Sequence, residues 1–212
     1  DGFFAMPREA RADLVWRELF VLRSPLSEPG RGLVTLWRAF GLDPGAGDLR
    51  DARACFAERL RDPRAHVDDV LSRARVREVC MTNDPLDPVE RACWERGFPR
   101  DPRFVAALRL DSAIMDLPRA VPALRALGCD VDDALSARSI DALRRYFVAW
   151  HRRFDARYMA VSLPPQIGYP DGGQKPWLAL LERAVLPAAE ELGTPLALMI
   201  GVRRQVNPRL RL

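Results

Sequence analysis

The sequence has very little lysine, little histidine and no closely paired cysteines. Lysine occurs once among the 212 residues, at position 175, and arginine supplies all other basic side chains. A bias towards arginine also fits a GC-rich genome, and acidic residues are interleaved with the arginines throughout. No basic run with interleaved aromatic residues is present, so the net charge of +4 does not predict a nucleic-acid partner.

The four cysteines lie far apart, and none belongs to a C-x-x-C pair. This spacing predicts reduced thiols in a cytoplasmic protein. No run approaches the roughly 18 apolar residues of a membrane span, and the amino end lacks the pattern of a signal peptide, so we expect no membrane partner. Because the first residue is Asp1 and not methionine, we expect the chain to be a piece of a longer protein.

Several catalytic signatures are also missing. The sequence has no P-loop, no G-x-G-x-x-G and no G-x-S-x-G. His66 and His151 are the only histidines, and neither has a second His or Cys at the spacing of metal ligands. We therefore expect structural or surface roles for both histidines.

Apolar residues are nevertheless abundant, at 48% of the chain, which is enough to bury a sizeable core in one domain or two small ones. From Arg8 to about Arg75 they recur at helical spacing, with breaks rich in proline and glycine. This pattern predicts a helical segment over residues 1–75 and a second segment over residues 76–212.

In the second segment, short apolar runs alternate with helical stretches. The predicted strands are Val76–Thr82, Phe104–Leu108, Tyr158–Ser162 and Leu196–Gly201. The predicted helices are Pro88–Arg96, Leu117–Leu127, Ser139–Arg157 and Trp177–Leu192. This alternation predicts an α/β fold built from βαβ units around a parallel sheet, and the long spacing of the strands favours a (β/α) barrel over a doubly wound sheet.

Polar residues follow each predicted strand. The strand ends read Thr82-Asn-Asp-Pro-Leu-Asp87, Arg109-Leu-Asp111, Ser162-Leu-Pro-Pro165 and Arg203-Arg-Gln-Val-Asn207. In a barrel, these ends open on one face and share one pocket. The planar fork of arginine suits a carboxylate, whereas Asp and Asn suit sugar hydroxyls. A pocket that contains Asn83, Asp84, Arg109, Arg204 and Asn207 therefore fits a hydroxylated acid.

Each of these residues also has a purely structural interpretation. Asn83 and Asp84 are typical residues for capping the helix that starts near Pro88. Arg109 and Asp111 have the spacing of an ion pair at a strand end. Arg203 and Arg204 alternate along an extended chain, so only one of them points inward. The sequence leaves both the structural and the ligand-binding interpretations open.

Three of the strand ends resemble the uronate isomerase family of the amidohydrolase superfamily. Met81-Thr-Asn-Asp-Pro-Leu-Asp87 is similar to the family segment T-[DN]-D-P-x-D, and Ala107-Leu-Arg-Leu-Asp111 to F-R-P-D. Ile200-Gly-Val-Arg-Arg-Gln-Val-Asn207 is similar to I-G-x-x-R-x-x-N. The three motifs keep the family's order and spacing over about residues 76–207, and the helical segment resembles an insertion after the family's first strand.

The resemblance implies about strands 2 to 5 of a (β/α)8 TIM-type barrel. It implies an enzyme that interconverts the aldose and ketose forms of a hexuronic acid, such as glucuronate or galacturonate, through an enediol. By motif, Arg109 and Arg204 would contact this sugar acid, and Asn83, Asp84, Asp111 and Asn207 would shape the pocket. The catalytic groups, and a divalent metal such as zinc, would belong to the full-length protein, with no metal ligand in this chain. The sequence leaves open whether the protein forms a homo-oligomer.

The sequence also departs from the family. The family's H-x-H would precede Asp1, and its last-strand Asp would follow Leu212, so we expect the chain alone to be inactive. Met199 stands where the family commonly has histidine, and a thioether is a poor ligand for a hard or borderline metal. Ser162-Leu-Pro164 replaces the family's S-D-H. These differences indicate a divergent branch, which leaves two alternatives: hydrolysis or decarboxylation of a related acid, or a barrel that binds a sugar acid without catalysis.

Overall fold

The computed structural model describes residues 2–23, 26–165 and 176–201. The chain forms two compact units, Asp1–Arg77 and Glu78–Leu212. The sequence places its boundary two residues earlier, between residues 75 and 76. No helix among the described residues has the length and apolar character needed to cross a membrane.

The described part of the first unit is helical. Its helices are α1 (Gly2–Ala5), α2 (Arg8–Val15), α3 (Glu28–Ala39), α4 (Arg50–Arg59) and α5 (Pro63–Arg73), and α2 continues as a π-helical turn, Trp16–Val21. Ser27 and Asp62 cap α3 and α5 by accepting a hydrogen bond from the first turn. The buried centre is small: Trp16 stacks on Trp37 with ring centroids 5.5 Å apart, next to Ala52.

The second unit alternates strands and helices. Its strands are β1 (Val79–Asn83), β2 (Phe104–Arg109), β3 (Met159–Leu163) and β4 (Leu196–Ile200). Its helices are α6 (Pro88–Arg96), α7 (Asp111–Met115), α8 (Leu117–Ala126), α9 (Ala137–Phe154), α10 (Pro176–Leu180) and α11 (Leu186–Leu192), with a π-helical turn Leu181–Val185 between the last two. The predicted α/β class is confirmed.

The four strands form one parallel sheet in the order β1-β2-β3-β4. Val79 pairs with Phe104, Leu108 pairs with Met159, and Met159 pairs with Leu196. Each strand lies beside the next one in sequence, so the described sheet has no reversal of order, which is the arrangement of a (β/α) barrel and not of a doubly wound sheet. Closure of the barrel stays a prediction.

The first strand starts later than its sequence predicts. Val76 was predicted to begin the strand, but its backbone N–H donates to the Leu71 carbonyl at 2.9 Å, and Arg75 adopts a left-handed φ of 54°. These are the hydrogen bonds that close a helix end, so Val76 belongs to the termination of α5. The apolar pattern alone does not separate a residue that closes a helix from one that opens a strand.

The core of the second unit lies where α9 packs on the central strands. Ala107, Leu108 and Met159 have no exposed surface, and Phe147 and Phe154 on α9 are 1% exposed. By contrast, the apolar run of β4 is not buried in the described chain. Leu198, Met199 and Ile200 are 44–59% exposed because β4 is an edge strand that pairs only with β3.

Helix α6 starts at a strong cap, which gives a first prediction. Asp87 Oδ1 accepts hydrogen bonds from Val89 N at 2.8 Å and from Glu90 N at 2.9 Å, and Pro88 occupies the first helical position. We expect Asp87→Ala to lower the free energy of unfolding by about 1 kcal/mol. Asp87→Asn keeps the acceptor oxygen and is the matched control. Urea unfolding checks this, and an equal loss in both variants would contradict capping as the cause.

Candidate functional site

The carboxyl ends of β1 and β2 open on a cavity of about 570 Å³. Asp84 and Glu90 line it from the β1 side, Arg109 and Asp111 from the β2 side, and Ser112 from α7. Side chains that follow neighbouring parallel strands meet at the same edge of the sheet, which is why residues distant in sequence share this space.

Asn83 and Asp84 are fixed by one carboxylate. Asn83 is the last residue of β1 and is 9% exposed, and its Nδ2 donates to Glu90 Oε2 at 3.2 Å. The same Glu90 oxygen accepts the backbone N–H of Asp84 at 3.0 Å. Asn83 Oδ1 is buried and has no hydrogen-bond donor among the described residues. The amide therefore turns its donor towards Glu90 and leaves its acceptor free.

Both oxygens of the Asp84 carboxylate accept hydrogen bonds. Oδ1 accepts from Leu86 N at 2.9 Å, and Oδ2 accepts from the hydroxyl of Ser112. Burial raises the pKa of Asp84 above its usual value, and the nearby charge of Glu90 adds to the rise, whereas the hydrogen bonds and Arg109 oppose it. Asp84 therefore holds a proton more readily than an ordinary aspartate, which gives it the chemical capacity of a general acid or base.

Arg109 and Asp111 form a two-pronged ion pair. Arg109 Nε donates to Asp111 Oδ2 at 3.0 Å, and Nη2 donates to Oδ1 at 3.4 Å. Asp111 Oδ1 also accepts from the backbone N–H of Ser162 at 3.2 Å, which ties the end of β2 to β3. The hydrogen bonds to Asp111 raise the pKa of Arg109 further above its already high value, so Arg109 remains a cation. Its Nη1 makes no hydrogen bond to the part of the chain that the structure describes, so the donors of Nη1 are available to another group.

The structure brings four of the six predicted site residues together. Asn83 and Asp84 meet Arg109 and Asp111 around the cavity, although Asn83 lies just beneath the lining. Arg204 and Asn207, with Arg203, lie outside the described residues. The role of all six in binding substrate stays a prediction.

The two structural interpretations have different outcomes. Asn83 and Asp84 do not cap α6, since Asp87 does so, and that interpretation is wrong. The ion pair between Arg109 and Asp111 does exist. A residue that is oriented by an ion pair can also bind a ligand with its remaining donors, so the pair alone does not decide between the two roles.

Sequence reasoning missed Glu90 and Ser112. The sequence Asp87-Pro-Val-Glu90 is a capping pattern, which signals that Glu90 turns back towards Asp87 but does not signal its contacts with Asn83 and Asp84. Nothing in the sequence signals Ser112, because its hydroxyl meets Asp84 from 28 residues away. Five acidic side chains and two arginines line the cavity, so it offers mostly hydrogen-bond acceptors.

The histidines and the described acidic residues do not form a metal centre. In residues 2–23, 26–165 and 176–201, no three His, Cys, Asp or Glu side chains are grouped to hold a metal ion. His151 is buried, its Nε2 lies 3.1 Å from Thr194 Oγ1, and burial lowers its pKa. The described residues therefore supply no metal site of their own, and the divalent metal that the resemblance implies for the full-length protein stays a prediction.

The parallel strands of the sheet lie side by side in the order of the sequence, and polar groups gather at their carboxyl ends. This α/β arrangement matches part of a TIM-type fold. The chain is similar to the crystal structure of a uronate isomerase from Bacillus halodurans C-125, with a TM-score of 0.87 and 41% sequence identity. The similarity covers 98% of this chain and 48% of the isomerase, so the chain spans about half the length of that protein. No family model and no curated protein matches the sequence.

The predicted resemblance to uronate isomerases is confirmed. An identity of 41% over nearly the whole chain extends the likeness well beyond the three strand-end motifs, through the helical first unit as well as the sheet.

Proposed function

We propose that the full-length protein containing this chain interconverts the aldose and ketose forms of a hexuronic acid of the glucuronate or galacturonate type. The observation that supports this most is the cavity in which Arg109, held by Asp111, faces the carboxylates of Asp84 and Glu90. A guanidinium with free donors suits an anionic oxygen, and carboxylates accept hydrogen bonds from sugar hydroxyls. The likeness to a uronate isomerase supports the same substrate class.

The reaction moves a proton between adjacent carbons through an enediol, and negative charge develops on oxygen as it does so. In the proposed mechanism, the free Nη1 donors of Arg109 bind an anionic oxygen of the sugar acid. Asp84 accepts a hydrogen bond from a hydroxyl or holds a proton there, because burial has raised its pKa. We assign no group that removes the carbon-bound proton among the described residues.

A metal has no assigned place in this mechanism. The superfamily resemblance implies a divalent ion such as zinc. The carboxylates at the cavity already accept hydrogen bonds: Asp84 from Ser112 and Leu86, Asp111 from Arg109, and Glu90 from the end of β1. Among the described residues, they are not grouped as metal ligands. We therefore derive no step through a metal. We place the protein in the cytoplasm, a proposal supported by its free cysteines.

One mass measurement tests this function against both alternatives. The full-length protein is incubated with glucuronate and with galacturonate, with and without a chelator, and the products are analysed by mass spectrometry and NMR. Isomerisation leaves the mass unchanged and gives a new ketose signal. A lactone of each hexuronate is assayed in parallel, because the free acid has no bond to hydrolyse. Decarboxylation loses the mass of CO2, enzyme-dependent hydrolysis of the lactone adds the mass of water, and a binding barrel gives no product. Either mass change, or binding without turnover, would contradict the proposal.

A second expectation concerns the 212 residues alone. We expect this chain, purified by itself, to show no isomerisation, because β1 and β4 are sheet edges and the similarity covers only 48% of the isomerase. The same assay checks this, with the full-length protein as the active control. Measurable turnover by the chain alone would show that a complete site lies within it.

A further inference from the structure

Glu90 makes hydrogen bonds that a helix-capping glutamate does not normally make. It is the third residue of α6 after the cap Asp87, the position from which a glutamate usually accepts the backbone N–H of the cap residue. Here the Asp87 N–H donates instead to the Asp84 carbonyl, at 3.1 Å. Glu90 reaches past the cap to the strand end. Its hydrogen bonds therefore serve the site end of β1 and are not needed to start the helix.

A single oxygen of Glu90 sets the orientation of two groups. Oε2 accepts from the side-chain amide of Asn83 and from the main chain of Asp84, at 3.2 Å and 3.0 Å. The first contact orients the Asn83 amide so that its buried Oδ1 is the unpartnered atom. The second fixes the backbone that carries the Asp84 carboxylate to Ser112. Glu90 itself lines the cavity and is only partly exposed.

We propose that Glu90 is a positioning residue that holds Asn83 and Asp84 in the geometry needed to bind and convert the substrate. This inference deepens the proposed function and rests on it for its kinetic test. Glu90 acts through Asp84 in two ways. Its hydrogen bonds place the Asp84 backbone, and its negative charge lies close enough to favour the protonated form of the Asp84 carboxyl.

Two variants separate these effects. Glu90→Gln keeps an oxygen that can accept both hydrogen bonds and removes the negative charge. Glu90→Ala removes the oxygen and leaves two N–H groups without their acceptor. The matched control is Glu95→Gln on the same helix, because the Glu95 side chain is 48% exposed and pairs with Arg91, at 3.9 Å, and not with the end of β1.

We expect Glu90→Ala to lower kcat/KM of the full-length protein by about 100-fold, the loss that a misplacement of about 1 Å produces. Glu90→Gln should restore kcat/KM to within about threefold of the parent, and Glu95→Gln should leave it unchanged. Thermal unfolding identifies variants that are merely unfolded. If Glu90→Ala is folded and as active as the parent, or if Glu90→Gln is as impaired as a folded Glu90→Ala, positioning by Glu90 is wrong.

The pH profile distinguishes positioning of Asp84 from a general structural role. Besides Glu90, the groups that act on the Asp84 charge are Ser112 on α7, the Leu86 backbone N–H and Arg109 on β2, and this charge in turn raises the pKa of Tyr146 on α9. These stay in place in Glu90→Gln, so loss of the Glu90 charge should lower the pKa of Asp84. The limb of the kcat/KM profile that follows Asp84 then moves to lower pH, whichever protonation state of Asp84 is the active one. A profile that stays in place would contradict action through Asp84.

Hydrogen exchange keeps this inference separate from the proposed function. Glu90→Ala should speed exchange of the Asp84 backbone N–H at least about tenfold, and Glu90→Gln should not. If the parent protein converts no hexuronate, the proposed function fails, and this measurement still decides whether Glu90 holds the strand end. If the parent is active and exchange at Asp84 is the same in all variants, the proposal for Glu90 fails alone.

Discussion

Arg109→Met should lower kcat/KM of the full-length protein for a hexuronate by about 1000-fold, the loss seen when one donor to a developing oxyanion is removed. Met is similar in length to the arginine stem but donates no hydrogen bond. The free Nη1 donors of Arg109 are then lost from the cavity, while Asp111 still accepts the Ser162 N–H that joins β2 to β3. The loss should therefore appear in activity and not in folding.

Arg109→Lys tests the geometry separately from the charge. Lysine keeps a cation but not the planar fork, so it cannot bond Asp111 through two nitrogens and donate to a ligand in a fixed direction. We expect its kcat/KM to lie between the parent and Arg109→Met. The control is Arg144→Met, because Arg144 also pairs with a carboxylate, Glu191 at 3.0 Å, on a surface away from the cavity.

The same variants decide between the two interpretations of the ion pair. If Arg109 serves only as the partner of an ion pair at the end of β2, Arg109→Met and Arg144→Met should both keep full activity and lose only the small free energy of a partly exposed ion pair, about 0–1 kcal/mol. Full activity in Arg109→Met would therefore remove Arg109 from the site and favour the structural interpretation.

The order and direction of the strands could be predicted because the central strands follow a simple rule. β2 and β3 are covered on both faces, so every position tends to be apolar and the runs stand out in the sequence. The start of β1 and the exposure of the edge strand β4 were harder to predict. Val76 is apolar because it closes α5, and β4 has an apolar run although its middle and end are exposed in the described chain. Periodicity records side-chain polarity and not the number of neighbouring strands.

The π-helical geometry of two turns does not follow from the spacing of apolar residues. The two π-helical turns are Trp16–Val21 and Leu181–Val185. Over so few residues, the spacing of apolar side chains in a π-helix cannot be told from that in an α-helix. Trp16–Val21 continues α2, and Leu181–Val185 lies between α10 and α11, so the sequence predicts both turns as helix but not their extra residue per turn.

The candidate site divides in a similar way. Asn83, Asp84, Arg109 and Asp111 could be predicted because position after a strand is a local property of the sequence. Glu90 and Ser112 could not be predicted as site residues, because their roles depend on contacts that form only when the chain folds. Glu90 occupies the ordinary capping position, and only the structure shows that its carboxylate reaches beyond the cap to Asn83 and Asp84.

Phe154→Ala should have the largest effect on stability. Phe154 ends α9, is 1% exposed, and its ring packs against Trp94 and Trp150 with centroids 4.6 Å and 5.2 Å apart. Truncating such a side chain leaves a cavity in close-packed surroundings and should lower the free energy of unfolding by about 4 kcal/mol. That is a large share of the roughly 5–15 kcal/mol that holds a domain folded.

Phe98→Ala is the matched control for Phe154→Ala. Phe98 also packs on Trp94, at 5.2 Å, but it is 47% exposed, so its loss should cost less than about 1.5 kcal/mol. Urea unfolding followed by tryptophan fluorescence measures both variants, and equal losses would contradict burial as the cause.

Helix α9 packs against β2, which carries Arg109. Because Phe154→Ala destabilises the fold without touching the cavity, it should reduce activity only in proportion to the unfolded fraction of the protein. Arg109→Met should show the reverse, with activity lost from a protein that is still folded, and this contrast separates the residues that build the sheet from those that use it.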